Sequence, residues 1–122
     1  MDQAITIGAS YYPDHWPRER WQTDIQLMIE AGIKTLRVAE LSWSKLESRE
    51  GQFDFGWLND FIEIASKEGI EFILGTPIEA SPVWLRDKYP EVVRHNKFGR
   101  IHGDRGMHCH NNSTFRFMLI AL

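Results

Sequence analysis

Two nine-residue stretches, EAGIKTLRV (Glu30 to Val38) and KEGIEFILG (Lys67 to Gly75), align along the chain with a spacing of 37 residues. Each runs from the end of a polar-faced segment through a glycine into a short apolar run rich in β-branched and aromatic residues. That spacing is the size of one strand plus one helix, so the sequence repeats a β/α unit. Such a repeat restricts the chain to folds built on a parallel sheet with helices covering it.

The rest of the chain fits the repeat. AITIGAS (Ala4 to Ser10) has the composition of a strand. From Arg18 to Ala31, residues Trp21, Ile25, Met28 and Ile29 fall at i, i+4, i+7 and i+8, one face of a helix. Pro17 suits its first turn and Gly32 its C-terminal cap. GIKTLRVAEL is then a second strand. Asp54 is placed to cap a second helix with the face Leu58, Phe61, Ile62 and Ala65, ending at Gly69. GIEFILGTP makes a third strand.

Two closures of such a sheet compete, the doubly wound sheet and the barrel. A nucleotide-binding sheet places a glycine-rich turn after its first strand, where this chain has Tyr11-Tyr12-Pro13-Asp14-His15-Trp16. Long aromatic-rich segments after each strand are what a TIM (β/α)8 barrel uses to build a site at its C-terminal face. The fold class expected is therefore α/β, the N-terminal portion of a TIM barrel. A whole barrel takes about 250 residues. The chain's 122 hold about three and a half βα units, and it stops inside the apolar run Phe115 to Leu122. The organisation expected is a single incomplete barrel segment over residues 1–122. Apolar faces left open at Phe72, Leu74, Phe117 and Leu119 are expected to favour self-association.

Composition excludes several partners. An apolar fraction of 43% and a charged fraction of 25% are those of an ordinary globular protein. A formal charge of −3 with no basic run provides no surface for a phosphate backbone, so no nucleic acid is expected. No stretch approaches the roughly 20 apolar residues needed to cross a bilayer, and no membrane association is expected. Met1-Asp2-Gln3 opens nothing like a signal peptide. The single cysteine admits no intrachain disulfide. These features point to the cytoplasm.

The segments after the strands carry Tyr11, Tyr12, His15 and Trp16, then Glu40, Trp43, Lys45 and Glu47, then Glu79, Trp84 and Arg86. Aromatic faces beside carboxylates and guanidinium groups suit a polyhydroxylated ligand, whose CH faces stack while its hydroxyls need charged hydrogen-bond partners. That ligand is a sugar. Trp21 and Trp57 fall on helix faces and are expected to pack, whereas Trp43 and Trp84 stand open between packing and stacking on a ligand. RVAELSW (Arg37 to Trp43) raises a further question, because a strand alternates its faces. Arg37 and Glu40 should point opposite ways unless the strand ends between them.

YYPDHWPRERW (Tyr11 to Trp21), RVAELSWSKLE (Arg37 to Glu47) and EGQFDFGWL (Glu50 to Leu58) resemble, nearly residue for residue, the opening of glycoside hydrolase family 42, the β-galactosidases. The likeness continues through SPVWLRDKYPEVV, then weakens, and DRGMHCHNNSTFR still aligns at Arg105, Cys109, Asn111 and Arg116. The resemblance implies a TIM barrel and retaining hydrolysis of terminal β-D-galactosides. Retention normally uses two carboxyls about 5 Å apart. In the family these come from the fourth and seventh strands, so none of the residues here is expected to be catalytic. By the same resemblance Arg37 and Arg105 bind the galactose hydroxyls; Glu40, three residues after Arg37, is placed to pair with it or keep its orientation. A buried structural ion pair of Arg37 with Glu40 is the alternative. Glu79 departs from the small or neutral residue usual in the family. Neighbouring Glu40, it forms the one pair that could substitute for the missing carboxyls.

No cofactor is required by this reading. In some family members the cysteine matching Cys109 joins three later cysteines around a structural zinc, and His102, His108 and His110 crowd it here. Relatives commonly assemble as trimers, which leaves a homo-oligomer open. Two other readings are a non-catalytic sugar-binding or self-associating half-barrel, and a small metal-binding protein built on the His/Cys cluster.

Overall fold

The computed structural model describes residues 5–99 and 107–121, so Arg105, His102 and the first four residues lie outside the described residues. Along the chain it has β1 (Gly8–Ser10), a 3-10 turn (Pro13–His15), α1 (Arg18–Glu30), β2 (Thr35–Val38), α2 (Trp43–Leu46), β3 (Glu47–Arg49) and β4 (Gln52–Phe53). Then come α3 (Gly56–Lys67), β5 (Glu71–Leu74), α4 (Val83–Lys88), a second 3-10 turn (Pro90–Val92) and α5 (Ser113–Ala121). These elements form two compact units, Met1–Ala39 with Asp54–Gly75, and Glu40–Phe53 with Thr76–Leu122.

The first unit is the β/α repeat. Its sheet has the order β1-β2-β5 and both pairings are parallel, with Ala9, Leu36 and Phe72 in register. Strands that follow one another in space as they do along the chain build a barrel wall. The first half of a doubly wound sheet has the same sequential order, its switch point lying outside the first three strands, so the loops after the strands carry the distinction. Leu36 and Val38 are wholly buried on one face, which is also the side of Phe72. Phe61 of α3 is the centre of that core. Its ring stacks on Tyr11 at 5.2 Å and meets the edges of Trp21 at 5.4 Å and Phe72 at 6.1 Å. Of the predicted helix faces, Trp21, Ile25, Leu58, Phe61 and Ala65 are buried, while Met28, Ile29 and Ile62 are partly buried. Asp54 acts one position further out than a standard cap, since its Oδ1 accepts from the Gly56 N–H at 2.9 Å while Phe55 takes the cap position.

Gly32 and Gly69 close the two helices with φ of 78° and 84°, and an added Cβ at either would meet nothing within 4 Å. The requirement is therefore conformational, not steric space. Gly69→Ala is expected to cost about 1–2 kcal/mol, read as a lower denaturation midpoint with unchanged secondary structure.

The second unit folds around Trp43, Leu85, Val92, Val93 and Phe115, with Trp84, Tyr89, Met118 and Leu119 packed against them. Asn112 caps α5, its Oδ1 accepting from the Phe115 N–H at 2.9 Å. The antiparallel hairpin β3–β4 turns at Gly51, whose φ is 73°. Sequence periodicity did not reveal this hairpin, because strands of three and two residues are too short to carry an alternation. Of the apolar residues expected to lie open, Leu74 and Phe117 are exposed, whereas Phe72 and Leu119 are partly buried. Phe72 packs on Phe61 and Leu119 on the second core.

Candidate functional site

In the first unit, parallel register puts Ser10, Arg37 and Ile73 in one row across the three strands, and Gly8, Thr35 and Glu71 in the row beneath. These rows lie on the face opposite Leu36 and Val38. Arg37 is exposed there, while both its chain neighbours are buried. A concavity of about 240 Å³ is lined by Gly8, Ala9, Ser10, Thr35, Arg37 and Ile73. Gly8 is needed for it: a Cβ would meet the Thr35 carbonyl oxygen at 2.9 Å, so only glycine lets β1 come this close.

The question posed by RVAELSW has a backbone answer. β2 ends at Val38, and Ala39 is left-handed with φ 72°, the one non-glycine residue in that region among the described residues. For alanine this conformation costs about 1–2 kcal/mol. Ala39 is itself buried. The alternation of the strand is broken between Arg37 and Glu40, and Glu40 opens the second unit as a half-buried residue.

The loop leaving β1 is tied down at several points. The Tyr11 hydroxyl donates to Asp24 Oδ2 at 2.8 Å, Trp21 Nε1 donates to the Pro13 carbonyl at 3.0 Å, and the rings of Tyr12 and His15 stack at 5.3 Å. Burial first, and the Asp24 carboxylate next, push the Tyr11 phenol far above its ordinary range. Sequence reading missed Asp24 and Arg20. The signal was present, because Asp24 interrupts the apolar stripe of α1 between Trp21 and Ile25, where a carboxylate needs a partner.

In the second unit several candidate sugar contacts hydrogen-bond to one another within the fold. Trp43 is wholly buried and its Nε1 donates to Glu47 Oε2 at 2.7 Å. Glu47 Oε1 accepts from the Gly51 N–H at 2.7 Å, and the Glu47 carbonyl accepts from Trp84 Nε1 at 2.9 Å. One buried carboxylate thus joins α2, the hairpin turn and, through its backbone, α4. Buried as it is, Trp43 packs in the core, whereas Trp84 keeps part of its ring exposed. Lys88 and Tyr89 bind Glu50 at the turn and hold its carboxyl below the usual range, Lys88 contributing most. This contact is on the surface.

His108 is buried, accepts or donates at Nε2 with Ser81 Oγ at 2.8 Å, and stacks on Phe115 with centroids 4.6 Å apart. Burial, then Arg86 and His110, lower its pKa, and Glu79 acts the other way. Glu79 itself is exposed. Cys109 is a half-buried free thiol whose N–H donates to the Val92 carbonyl at 2.8 Å. Among the described residues no group of three or more histidines, cysteines and carboxylates could hold a metal ion, so Cys109 alone could supply only one ligand. Nor is any helix among them long and apolar enough to cross a membrane.

Parallel strands in sequential order, with a guanidinium on the open face and aromatic loops after the strands, fit a stretch of a (β/α) barrel wall. A family model described as Beta-galactosidase, glycoside hydrolase 42, matches residues 10–122. The chain is 50% identical over 114 residues to Beta-galactosidase BgaA of Clostridium cellulovorans, covering 92% of this chain and 17% of that protein. It is 42% identical, over the same shares, to Beta-galactosidase BgaH of Haloferax lucentense. The solved β-galactosidase of Halorubrum lacusprofundi superposes with a TM-score of 0.90 at 37% identity, over 96% of this chain and 18% of that one. That of Marinomonas ef1 gives 0.88 at 35%, over 94% and 18%. The chain belongs to the glycoside hydrolase family 42 β-galactosidases, and its fold is a stretch of their TIM barrel. It spans about 17% of the length of these curated relatives.

Proposed function

We propose that the protein to which this chain belongs is a retaining β-galactosidase, and that the segment 1–122 supplies part of the wall that binds the sugar. In retaining chemistry one carboxyl protonates the leaving oxygen while a second attacks the anomeric carbon, and water then cleaves the resulting glycosyl ester. Both carboxyls would come from later strands. Arg37 and Arg105 would hold the galactose hydroxyls, with Glu40 keeping the local charges oriented. The observation that carries this reading is Arg37 itself, presented on the open sheet face between Ser10 and Ile73. A charged residue there serves no core, and a guanidinium fork matches adjacent hydroxyls.

Arg37→Ala in the longer enzyme is expected to weaken transition-state binding by about 2–4 kcal/mol, the scale of losing one preorganised donor. That is roughly 30- to 900-fold in kcat/KM. The measurement is hydrolysis of nitrophenyl β-D-galactoside, with product stereochemistry followed by NMR. An unchanged kcat/KM in a normally folded variant would show Arg37 to be structural, and an inverted product would remove the retaining assignment. We further propose a galactoside or oligosaccharide as substrate, a cytoplasmic location, and a homo-oligomer, trimeric as is common in the family. A structural zinc would take Cys109 as one ligand, the others coming from later in the longer protein.

A non-catalytic sugar-binding or self-associating half-barrel is the second reading. It draws on β5, where Ile73 and Leu74 are 55% and 63% exposed.

A further inference from the structure

The groups that fasten the β1–α1 loop make no sugar contact in the reading above, yet they converge on the backbone of Arg37. Tyr11 is the residue that leaves β1. Its N–H donates to the Arg37 carbonyl at 3.0 Å, its ring lies against Phe61, and its hydroxyl is held by Asp24. Asp24 is buried in the middle of α1, and its other oxygen accepts from Arg20 Nε at 2.9 Å. The Arg20 guanidinium in turn stands 5.3 Å over the ring of Trp16, at the far end of the same loop. A single carboxylate therefore ties both ends of the loop Tyr11–Trp16 to the helix.

Stability alone does not account for this arrangement. A buried carboxylate loses hydration that hydrogen bonds only partly restore, and a phenylalanine opposite a leucine would fill the same space without that cost. What a charge-assisted bond adds over apolar packing is direction, since the hydroxyl has one favourable position relative to the carboxylate. Tyr11 stays protonated, and so a donor, well beyond the pH range in which tyrosines ordinarily ionise.

We propose that Tyr11, gripped by Asp24 and Arg20, is a positioning residue for Arg37: it fixes the carboxyl end of β2 and so the root from which the guanidinium reaches the sugar. The inference rests on the reading of Arg37 as a sugar-binding residue. Small displacements matter at such a site, because a misplacement of about 1 Å can lower a rate by about 100-fold. A phenylalanine at position 11 keeps the ring and the backbone bond and loses only the anchor.

The test is a double-mutant cycle in the longer enzyme that contains this chain, with Tyr11→Phe, Arg37→Ala and the two combined. Tyr11→Phe is expected to lower kcat/KM about tenfold, divided between kcat and KM as Arg37→Ala divides it. In the Arg37→Ala background the same change should have almost no effect, since the group being positioned is gone. Equal losses in both backgrounds would mean a general structural role and overturn the inference, as would no loss in the single variant. If Arg37→Ala itself leaves kcat/KM unchanged, the sugar-site reading fails and takes this inference with it. Should Tyr11→Phe not fold, Asp24→Asn enters the same cycle. It keeps an acceptor for the hydroxyl but not the charge, so a two- to threefold loss that vanishes without Arg37 is expected, on the order of one weakened hydrogen bond. An additive loss overturns the proposal.

Discussion

The 122-residue chain by itself is expected to release no nitrophenol from nitrophenyl β-D-galactoside above the uncatalysed rate, although Arg37 is in place. The family resemblance assigns both reacting carboxyls to later strands, and without them there is neither a proton for the leaving oxygen nor a nucleophile for the anomeric carbon. Guanidinium groups cannot replace either. Glu40 and Glu79 are poorly suited to the task, Glu79 being exposed and Glu40 opening the second unit as a half-buried residue. The same preparation should self-associate on sedimentation. β5 ends with Leu74 largely exposed, and Ile5 and Ile7, before β1, are 93% and 57% exposed. An open parallel edge beside exposed apolar side chains invites pairing with another chain. Mass spectrometry must first exclude longer product. Turnover by this chain would revive the Glu40 and Glu79 pair, and a monodisperse, cooperatively melting monomer would refute the incomplete-barrel reading of its surface.

Phe61→Ala should be the most damaging single core substitution in the first unit, at about 3–5 kcal/mol. The ring is wholly buried and touches three other aromatic rings from three different elements, Tyr11 after β1, Trp21 of α1 and Phe72 of β5. Removing it leaves a cavity that no one neighbour can fill without giving up its own contacts. Tyr11 and Trp21 are also tethered through Asp24 and the Pro13 carbonyl, which limits their relaxation. Native-state hydrogen exchange at the amides of α3 and β2 would read the effect as a lower free energy of local opening. A change below about 1 kcal/mol would mean that the aromatic cluster is loosely packed.

Particular residues show how much of this was open to a sequence reading. The helix faces at Trp21–Ile25 and Leu58–Phe61–Ala65 followed from a period of 3.6, and the glycines that end the helices from their need for positive φ. Asp54 was recognised as a capping residue but sits one position off, since an Asx turn and a helix cap use the same side chain and differ only in local backbone angles. Arg37 could be singled out because a charge in an apolar run needs a reason. Arg105, the other arginine of the resemblance, falls outside the described residues.

By itself, then, the sequence determined the β/α repeat, the parallel sheet and its covering helices, because periodicity and glycine placement act over a few residues. It also determined the family, through motifs too long to match by accident. Only the tertiary structure decided which polar and aromatic residues serve the fold. Trp43, Glu47 and Trp84 look in sequence like parts of a sugar site, and the fold joins them in a hydrogen-bonded hub around the buried Trp43 and Glu47, across as many as 37 positions, by contacts that no local pattern encodes. In the same way, the left-handed Ala39 breaks the strand after Arg37, and Asp24 reaches back 13 residues to Tyr11. Periodicity tells which face of an element is buried; what that face is buried against depends on how distant segments meet, and there the role of each charge is settled.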